Sequence, residues 1–282
     1  MSVKGKIVTD MIRFFTSQKM LGPKIQDGTL RKNLVEPPWH CPDEYLNLPI
    51  HMRQFEMELL TPKAADNGEV VLQLHGGGYI AKIRNAYRDF AVRYSKIDQY
   101  RVLSVDYRVA PQHPYPAAFQ DALEAYRWLL YSGFSGDRII LAGDSAGGGL
   151  VLALAMYLRD QSMPLPKKLV MMSPWTDLTA SGPSYQENYE NDPLFGNTRE
   201  SMIYNGEYAG KQDPKLPYIS PLFGDFHGLP PMLFQVGSLE MLLSDSVLAA
   251  QKAKEAGCDV TLTVYQDMFH VFQLSMDKLA ES

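Results

Sequence analysis

The amino-acid sequence predicts an α/β protein with a mainly parallel central sheet and helices on both faces. From about residue 69 onward, short apolar segments alternate with longer segments of helical periodicity. Several apolar segments are nearly continuous in Val, Ile and Leu, which is typical of strands buried on both faces. Turn residues mark almost every junction. This alternation predicts parallel strands joined by helical crossovers.

Six segments are predicted strands: EVVLQLH (69–75), RVLSVD (101–106), RIILAG (138–143), KLVMMS (168–173), PMLFQV (231–236) and DVTLTVY (259–265). Helices fit between most of them. The segment AAFQDALEAYRWLLYSG has apolar residues at helical intervals and a predicted end near Gly133. The segment SVLAAQKAKEAG is a second predicted helix, ending at Gly257.

Two regions interrupt the alternation. Residues 1 to about 50 contain an amphipathic segment, DMIRFFTSQKML, and then EPPWHCP, whose prolines exclude a continuous helix. Residues about 176 to 228 are rich in Pro, Gly, Asn, Asp and Tyr, with a predicted helix near NTRESMIYNGEYAG. We expect residues 1–282 to form one domain in which these two regions make a small helical cap over the strand ends. For the N-terminal helix, a moving lid and a permanently docked structural element are equally consistent with the sequence.

Composition narrows the functional classes. The 282 residues are 45% hydrophobic and 21% charged, which is typical of a globular protein. The net charge is −5 and the Lys and Arg residues are scattered, which argues against nucleic acid as a partner. Because no apolar run has the length of a membrane span or a signal peptide, we expect no membrane-spanning segment.

The two cysteines indicate a reducing compartment. Cys41 and Cys258 are far apart in the sequence and match neither a CxxC metal site nor a disulfide framework. We therefore expect a cytoplasmic protein whose thiols have no functional role and which holds no metal.

A serine between two glycines is the first candidate catalytic residue. In Gly143-Asp144-Ser145-Ala146-Gly147 the serine follows a predicted strand and precedes a helix of small residues. A strand-to-helix turn this tight needs glycines beside the serine and exposes its Oγ, while the helix N-terminus favours developing negative charge. The pattern predicts a nucleophile; an ordinary glycine-rich turn is the alternative.

A glycine-rich loop follows the first predicted parallel strand, at His75-Gly76-Gly77-Gly78. Consecutive glycines let backbone N–H groups turn toward a tetrahedral oxyanion without interference from side chains. A flexible turn and a phosphate loop are the alternatives, but the Lys-Ser/Thr of a P-loop and the spacing of a dinucleotide fingerprint are missing.

His270 is the candidate general base among six histidines. It follows the last predicted strand, in QDMFHVFQL, at the edge where α/β enzymes assemble their sites. Its position also agrees with the chain order serine, acid, histidine. The others lie in the glycine loop (His75), in APQHPYP (His113), before the core (His40, His51) or in the expected cap (His227).

Two carboxylates are candidates for the acid. After the strand PMLFQV, the segment GSLEMLLSDS contains Glu240 and Asp245. Glu240 is assigned to the triad because it lies in the loop just past the strand. Asp245 fits the start of the next helix, where a carboxylate would cap free N–H groups and interact with the helix dipole. Asp245 stays the alternative acid.

These motifs together resemble the hormone-sensitive-lipase-like family of α/β-hydrolases, the bacterial carboxylesterases with HGGG and GDSAGG motifs. The resemblance extends from about residue 65 to 275 and includes HGGG (75–78), DYRVAPQHPYPAA (106–118), GDSAGG (143–148), SPWTDLT (173–179), SPL (220–222) and FHVF (269–272). It implies the α/β-hydrolase fold and a cap built from the N-terminal segment and the insertion.

The resemblance also implies roles for individual residues. Ser145 would be the nucleophile, His270 the general base, and the backbone N–H groups of Gly77, Gly78 and Ala146 the oxyanion hole. Two positions depart from the common pattern: Glu240 stands where many members have Asp, and Gln112 where Glu is common. The first departure keeps a carboxylate.

The expected activity is that of a serine carboxylesterase that cleaves short- to medium-chain acyl esters of small alcohols through an acyl-enzyme, without metal or organic cofactor. An amide or formamide hydrolase could use the same residues, and a ligand-binding relative that has lost catalysis is the alternative from another class. A neutral His270 predicts activity that rises between about pH 6 and 7. Dimers are common in the family, so a homodimer is open.

Overall fold

The computed structural model describes residues 36–196 and 207–279. Its central sheet is built from β1 (Tyr45–His51), β2 (Glu56–Pro62), β3 (Val70–Leu74), β4 (Arg101–Asp106), β5 (Ile139–Asp144), β6 (Lys168–Met172), β7 (Met232–Gly237) and β8 (Val260–Tyr265). The strand order is β1-β2-β4-β3-β5-β6-β7-β8. The pairs β1–β2 and β2–β4 are antiparallel, and all other neighbours are parallel. The predicted α/β class is confirmed.

All six predicted strands are present as β3 to β8. The central strands β3 and β5 are buried along their whole length, which explains their nearly continuous apolar sequence. Alternate residues face opposite sides: Val71 packs with Ala91 and Val92 on one face, whereas Val70 and Leu72 belong to the larger apolar cluster on the other. Helices therefore cover both faces of the sheet.

The described helices are α1 (Asn85–Asp98), α2 (Ala117–Tyr131), α3 (Ala146–Asp160), the four-residue α4 (Ser184–Glu187) and α5 (Leu243–Glu255). Short 3-10 helices lie at Gly136–Arg138, Pro221–Phe223 and Phe272–Lys278. α3 is buried over most of its length and packs closely on the sheet. A Cβ on Gly147 would lie 2.0 Å from the carbonyl oxygen of Leu74, so only glycine allows this approach. None of the helices in the described part of the chain is long and apolar enough to cross a membrane.

The expected N-terminal cap boundary at about residue 50 is wrong. Residues 45–51 form β1, an edge strand of the sheet, and pair with β2; neither strand was predicted from the sequence. Leu46, Leu48 and Ile50 do recur at every second position, but Pro49 stands among them, and a proline argues against a strand except at the edge of a sheet. The predicted helix in residues 1–35 and most of the one near 197–210 fall outside the described residues and stay predictions, while residues 207–210 form turns.

Within the insertion at 176–228, the segments near residues 176–178 and 220–222 are hydrogen-bonded to each other. Thr176 and Ser220 are fully buried. The Leu222 N–H donates to the Thr176 carbonyl at 3.0 Å, and the Leu178 N–H donates to Ser220 Oγ at 2.8 Å. Whether the remainder of this insertion acts as a cap stays a prediction.

Candidate active site

Ser145 lies in a strained turn between β5 and α3. Its φ of 52° and ψ of −122° are unusual for a residue with a side chain, and such backbone strain costs on the order of 1–3 kcal/mol. The Ser145 N–H donates to the Met172 carbonyl at 2.9 Å. A Cβ on Gly143 would lie 2.5 Å from the Gly147 carbonyl oxygen. The glycine requirement predicted for this turn is therefore confirmed.

The turn brings Ser145 to a histidine and a carboxylate from two other loops. His270 Nε2 lies 2.9 Å from Ser145 Oγ, and His270 Nδ1 lies 2.8 Å from Glu240 Oε2. The three side chains follow β5, β8 and β7, whose carboxyl ends share one edge of the sheet. The Glu240 carboxylate can only accept a hydrogen bond, so the neutral ring carries its proton on Nδ1. Nε2 is then free to accept the serine proton.

Glu240 is held by two donors in addition to His270. Its Oε1 accepts from Ser173 Oγ at 2.7 Å and from the Gly237 N–H at 2.5 Å. The Glu240 side chain is fully buried. Its two oxygens thus have separate functions, since Oε1 is anchored and Oε2 faces the imidazole.

Asp245 has a structural position of its own. Its Oδ2 accepts from the backbone N–H groups of Thr176 and Asp177 at 2.7 and 2.8 Å. Burial raises the pKa of Asp245 to about 7, against the lowering effect of these two donors. Asp245 lies in the first turn of α5, as predicted, but the expectation that it caps this helix is wrong, because its carboxylate instead fixes the loop after β6.

The electrostatic surroundings of His270 favour a stronger base than an isolated imidazole. Burial acts to lower its pKa, but the hydrogen bond and charge of Glu240, with the charges of Asp192 and Asp144, outweigh it and raise the pKa above 6.5. Asp192 is itself buried and accepts from the backbone N–H groups of Leu194, Phe195 and Met241, in a geometry that no local sequence pattern predicted.

The glycine-rich loop runs beside Ser145. Gly77 and Gly78 have φ values of 108° and 63°, a region that favours glycine, and both line the cavity at Ser145. Ala146 is the first residue of α3, so its N–H has no partner within the helix. The three predicted oxyanion-hole positions are therefore brought to the serine.

Asp144 and Tyr87 fix the other end of the glycine loop. The Gly76 N–H donates to Asp144 Oδ1 and to the Tyr87 hydroxyl, both at 3.0 Å, and that hydroxyl donates to Asp144 Oδ2 at 3.0 Å. Burial raises the pKa of Asp144 to about 6. This network joins the turn that holds the serine to the glycine loop. The Gly76 N–H donates its hydrogen bonds within the network.

His75 connects the glycine-rich loop to Tyr107. Its ring is stacked on Tyr107 at 4.1 Å, and its Nδ1 lies 2.7 Å from the Gly76 carbonyl oxygen. Burial lowers the pKa of His75 to about 4. A neutral, stacked imidazole fits the predicted place of His75 within the glycine-rich loop.

A cavity of about 360 Å³ opens at Ser145, within the size range of small-molecule sites. One side is polar, with the serine, the imidazole and the glycine loop. The other side is apolar and is lined by Leu194, Phe195, Phe269, Val271 and Leu274. The Phe195 ring lies 4.8 Å from the His270 ring. Within the described residues, no group of three or more His, Cys, Asp or Glu is arranged to hold a metal ion.

A protein-family model described as the α/β-hydrolase fold matches residues 71–274. The chain belongs to the α/β-hydrolase family. An acetyl-hydrolase of Streptomyces hygroscopicus is 40% identical to this hydrolase over 209 residues, which cover 74% of this chain and 70% of the relative. An esterase of Acinetobacter venetianus is 36% identical over 206 residues, covering 73% and 68%.

Solved structures extend the similarity to nearly the whole hydrolase. A crystal structure of EstE5 soaked with p-nitrophenyl butyrate has a TM-score of 0.90 and 34% identity, covering 100% of this chain and 94% of the other. An esterase from the bacterial hormone-sensitive lipase family has a TM-score of 0.86 and 35% identity, with the same coverage. The resemblance to that family is confirmed.

Proposed function

We propose that this hydrolase is a serine carboxylesterase in which Ser145 is the nucleophile, His270 the general base and Glu240 the acid that orients it. The class, carboxylic ester hydrolase, follows from the family and its esterase relatives. The observation that carries the residue assignment is the hydrogen-bond chain from Ser145 Oγ through both ring nitrogens of His270 to Glu240.

Catalysis starts when the ester carbonyl enters the cavity beside Gly77 and Gly78. His270 Nε2 takes the proton of Ser145 Oγ as the oxygen attacks the carbonyl carbon. The tetrahedral oxyanion accepts hydrogen bonds from the N–H groups of Gly77, Gly78 and Ala146. His270 then protonates the leaving alcohol, and an acyl-Ser145 remains.

The second half of the reaction repeats these steps with water. His270 removes a proton from water, the hydroxyl attacks the acyl carbon, and the same N–H groups bind the second oxyanion before Ser145 Oγ leaves with the proton. Neither half needs a metal or an organic cofactor. The negative charge of Glu240 stabilises the imidazolium that forms in both halves.

The substrate class is a small ester with a short to medium acyl chain. The cavity is partly apolar but modest in volume, which suits a few methylene groups beside a polar reacting end. A relative named acetyl-hydrolase and a structure soaked with p-nitrophenyl butyrate support the same range. The cytoplasmic location and the homodimer stay predictions.

The test is hydrolysis of p-nitrophenyl esters from acetate to palmitate by the wild type, Ser145→Ala and Ser132→Ala, which changes an exposed serine. We expect activity on the short esters that disappears only in Ser145→Ala. After incubation with a phosphonate inhibitor, intact mass should show a single adduct on the wild type, at Ser145, and none on Ser145→Ala. p-Nitrobutyranilide tests the amide alternative in parallel. Absence of both turnover and labelling would contradict the proposal and favour a ligand-binding protein.

A further inference from the structure

The segment SPWTDLT (173–179) follows β6 directly, and none of its side chains enters the chemistry above. Its first residue, Ser173, is fully buried between the loop that carries Glu240 and the loop that carries His270. Its φ of 47° is in the left-handed region, where a residue with a side chain is uncommon. Both the burial and the conformation indicate that this serine has a specific task.

The Ser173 hydroxyl connects the acid to the backbone beside the base. It donates to Glu240 Oε1 at 2.7 Å and accepts from the Val271 N–H at 3.1 Å. These bonds join loops that are 67 and 98 residues away along the chain. One hydroxyl thus contacts both loops whose side chains must meet at 2.8 Å between Glu240 Oε2 and His270 Nδ1.

The backbone at Val271, in the loop that carries His270, has an unfavourable conformation. Val271 has a φ of 50°, and this region is unfavourable above all for a β-branched residue. Such conformations persist when the surrounding structure determines them. The hydrogen bond from the Val271 N–H to Ser173 is one such determinant, and it acts on the peptide that follows His270.

We propose that Ser173 is a positioning residue of the esterase reaction. Through its single hydroxyl it keeps the Glu240 carboxylate and the His270 imidazole at hydrogen-bond distance from each other. The inference rests on the proposed function. Its physical basis is that proton transfer from Ser145 needs His270 Nε2 at hydrogen-bond distance, and a misplacement of about 1 Å can reduce the rate by about 100-fold.

Two substitutions distinguish the effect of losing the Ser173 hydroxyl from the effect of the backbone strain. Ser173→Ala removes the hydroxyl and keeps the strained φ, whereas Ser173→Gly removes the hydroxyl and relieves the strain. Ser220→Ala is the matched control, because Ser220 is also fully buried and its hydroxyl also accepts a backbone N–H, that of Leu178. All three variants are compared with the wild type by thermal unfolding and by kinetics on p-nitrophenyl butyrate.

We expect both Ser173 variants to lose about 10- to 100-fold in kcat with little change in KM. Ser173→Gly should unfold at a higher temperature than Ser173→Ala but be no more active. Ser220→Ala should keep its kcat. If kcat instead follows thermal stability across the three variants, Ser173 is merely structural and the proposal is overturned.

The pH profile gives a second readout. The charged groups that face His270 are Glu240, Asp192 and Asp144, and Glu240 makes the direct hydrogen bond. When Glu240 is free to turn away, burial dominates, so the acidic limb of kcat/KM should move to lower pH. The proton NMR signal of His270 Nδ1–H should lose intensity or broaden. An unchanged limb and an unchanged signal would contradict the proposal.

The same experiment distinguishes the two levels of inference. A wild type that does not hydrolyse p-nitrophenyl butyrate or any shorter ester refutes the proposed function and this inference with it. An active wild type with equally active Ser173→Ala and Ser173→Gly variants refutes the inference alone.

Discussion

Replacement of Glu240 by Gln tests the orientation of the imidazole most directly. The change keeps the size of the side chain and removes its charge. The Gly237 N–H and Ser173 Oγ both point at Oε1, so the amide oxygen of Gln must take that place. The amide NH₂ group then faces His270 Nδ1, where it can only donate. The neutral imidazole would therefore accept at Nδ1 and carry its proton on Nε2.

An imidazole with its proton on Nε2 cannot accept the proton of Ser145. Loss of the correct tautomer in a serine triad with intact geometry costs about 10⁴-fold in kcat, equivalent to about 5.5 kcal/mol of transition-state stabilisation. We expect a loss of this order for Glu240→Gln, with a KM close to that of the wild type. The assay is steady-state hydrolysis of p-nitrophenyl butyrate.

Asp245→Asn is the matched control. Asn presents the same oxygen to the N–H groups of Thr176 and Asp177, so folding and kcat should stay close to those of the wild type. Retention of more than about a tenth of wild-type kcat by Glu240→Gln would refute the tautomer reasoning. A large loss in Asp245→Asn alone would show that the roles of the two carboxylates are reversed.

Two further predictions concern pH and packing. Because only neutral His270 accepts the serine proton and its pKa is raised, kcat/KM should rise with pH with a midpoint above 6.5; a flat profile from about pH 5 to 8 would contradict this. Gly147→Ala places a Cβ 2.0 Å from the Leu74 carbonyl oxygen, so its free energy of unfolding should fall by about 1–3 kcal/mol. Denaturant unfolding measures that change, and an equally stable variant would rule out the close contact.

Local patterns were sufficient for much of the fold and the candidate site. Several of the six parallel strands are nearly continuous apolar segments, and their shortness and the turn residues around them favoured strands over helices. The turn at Ser145 and the loop at Gly77 were readable because steric limits on the backbone leave glycine as the residue that fits. The order of serine, acid and histidine pointed to His270, and the place of Glu240 in the loop just past a strand favoured it over Asp245; the structure brings Ser145, His270 and Glu240 together.

The tertiary structure alone decided what joins distant loops. The edge strand at 45–51 contains Pro49, which argues against a strand, and its place in the sheet is defined by its pairing with β2. Asp245 was expected to cap its own helix, but its carboxylate accepts a hydrogen bond from the backbone of the loop after β6 instead. No sequence signal indicated the role of Ser173 beyond its place in SPWTDLT, and none indicated that of Asp192. Each makes hydrogen bonds to residues about 50 to 100 positions away in the sequence, and these contacts form only when the folded chain brings the loops after different strands together.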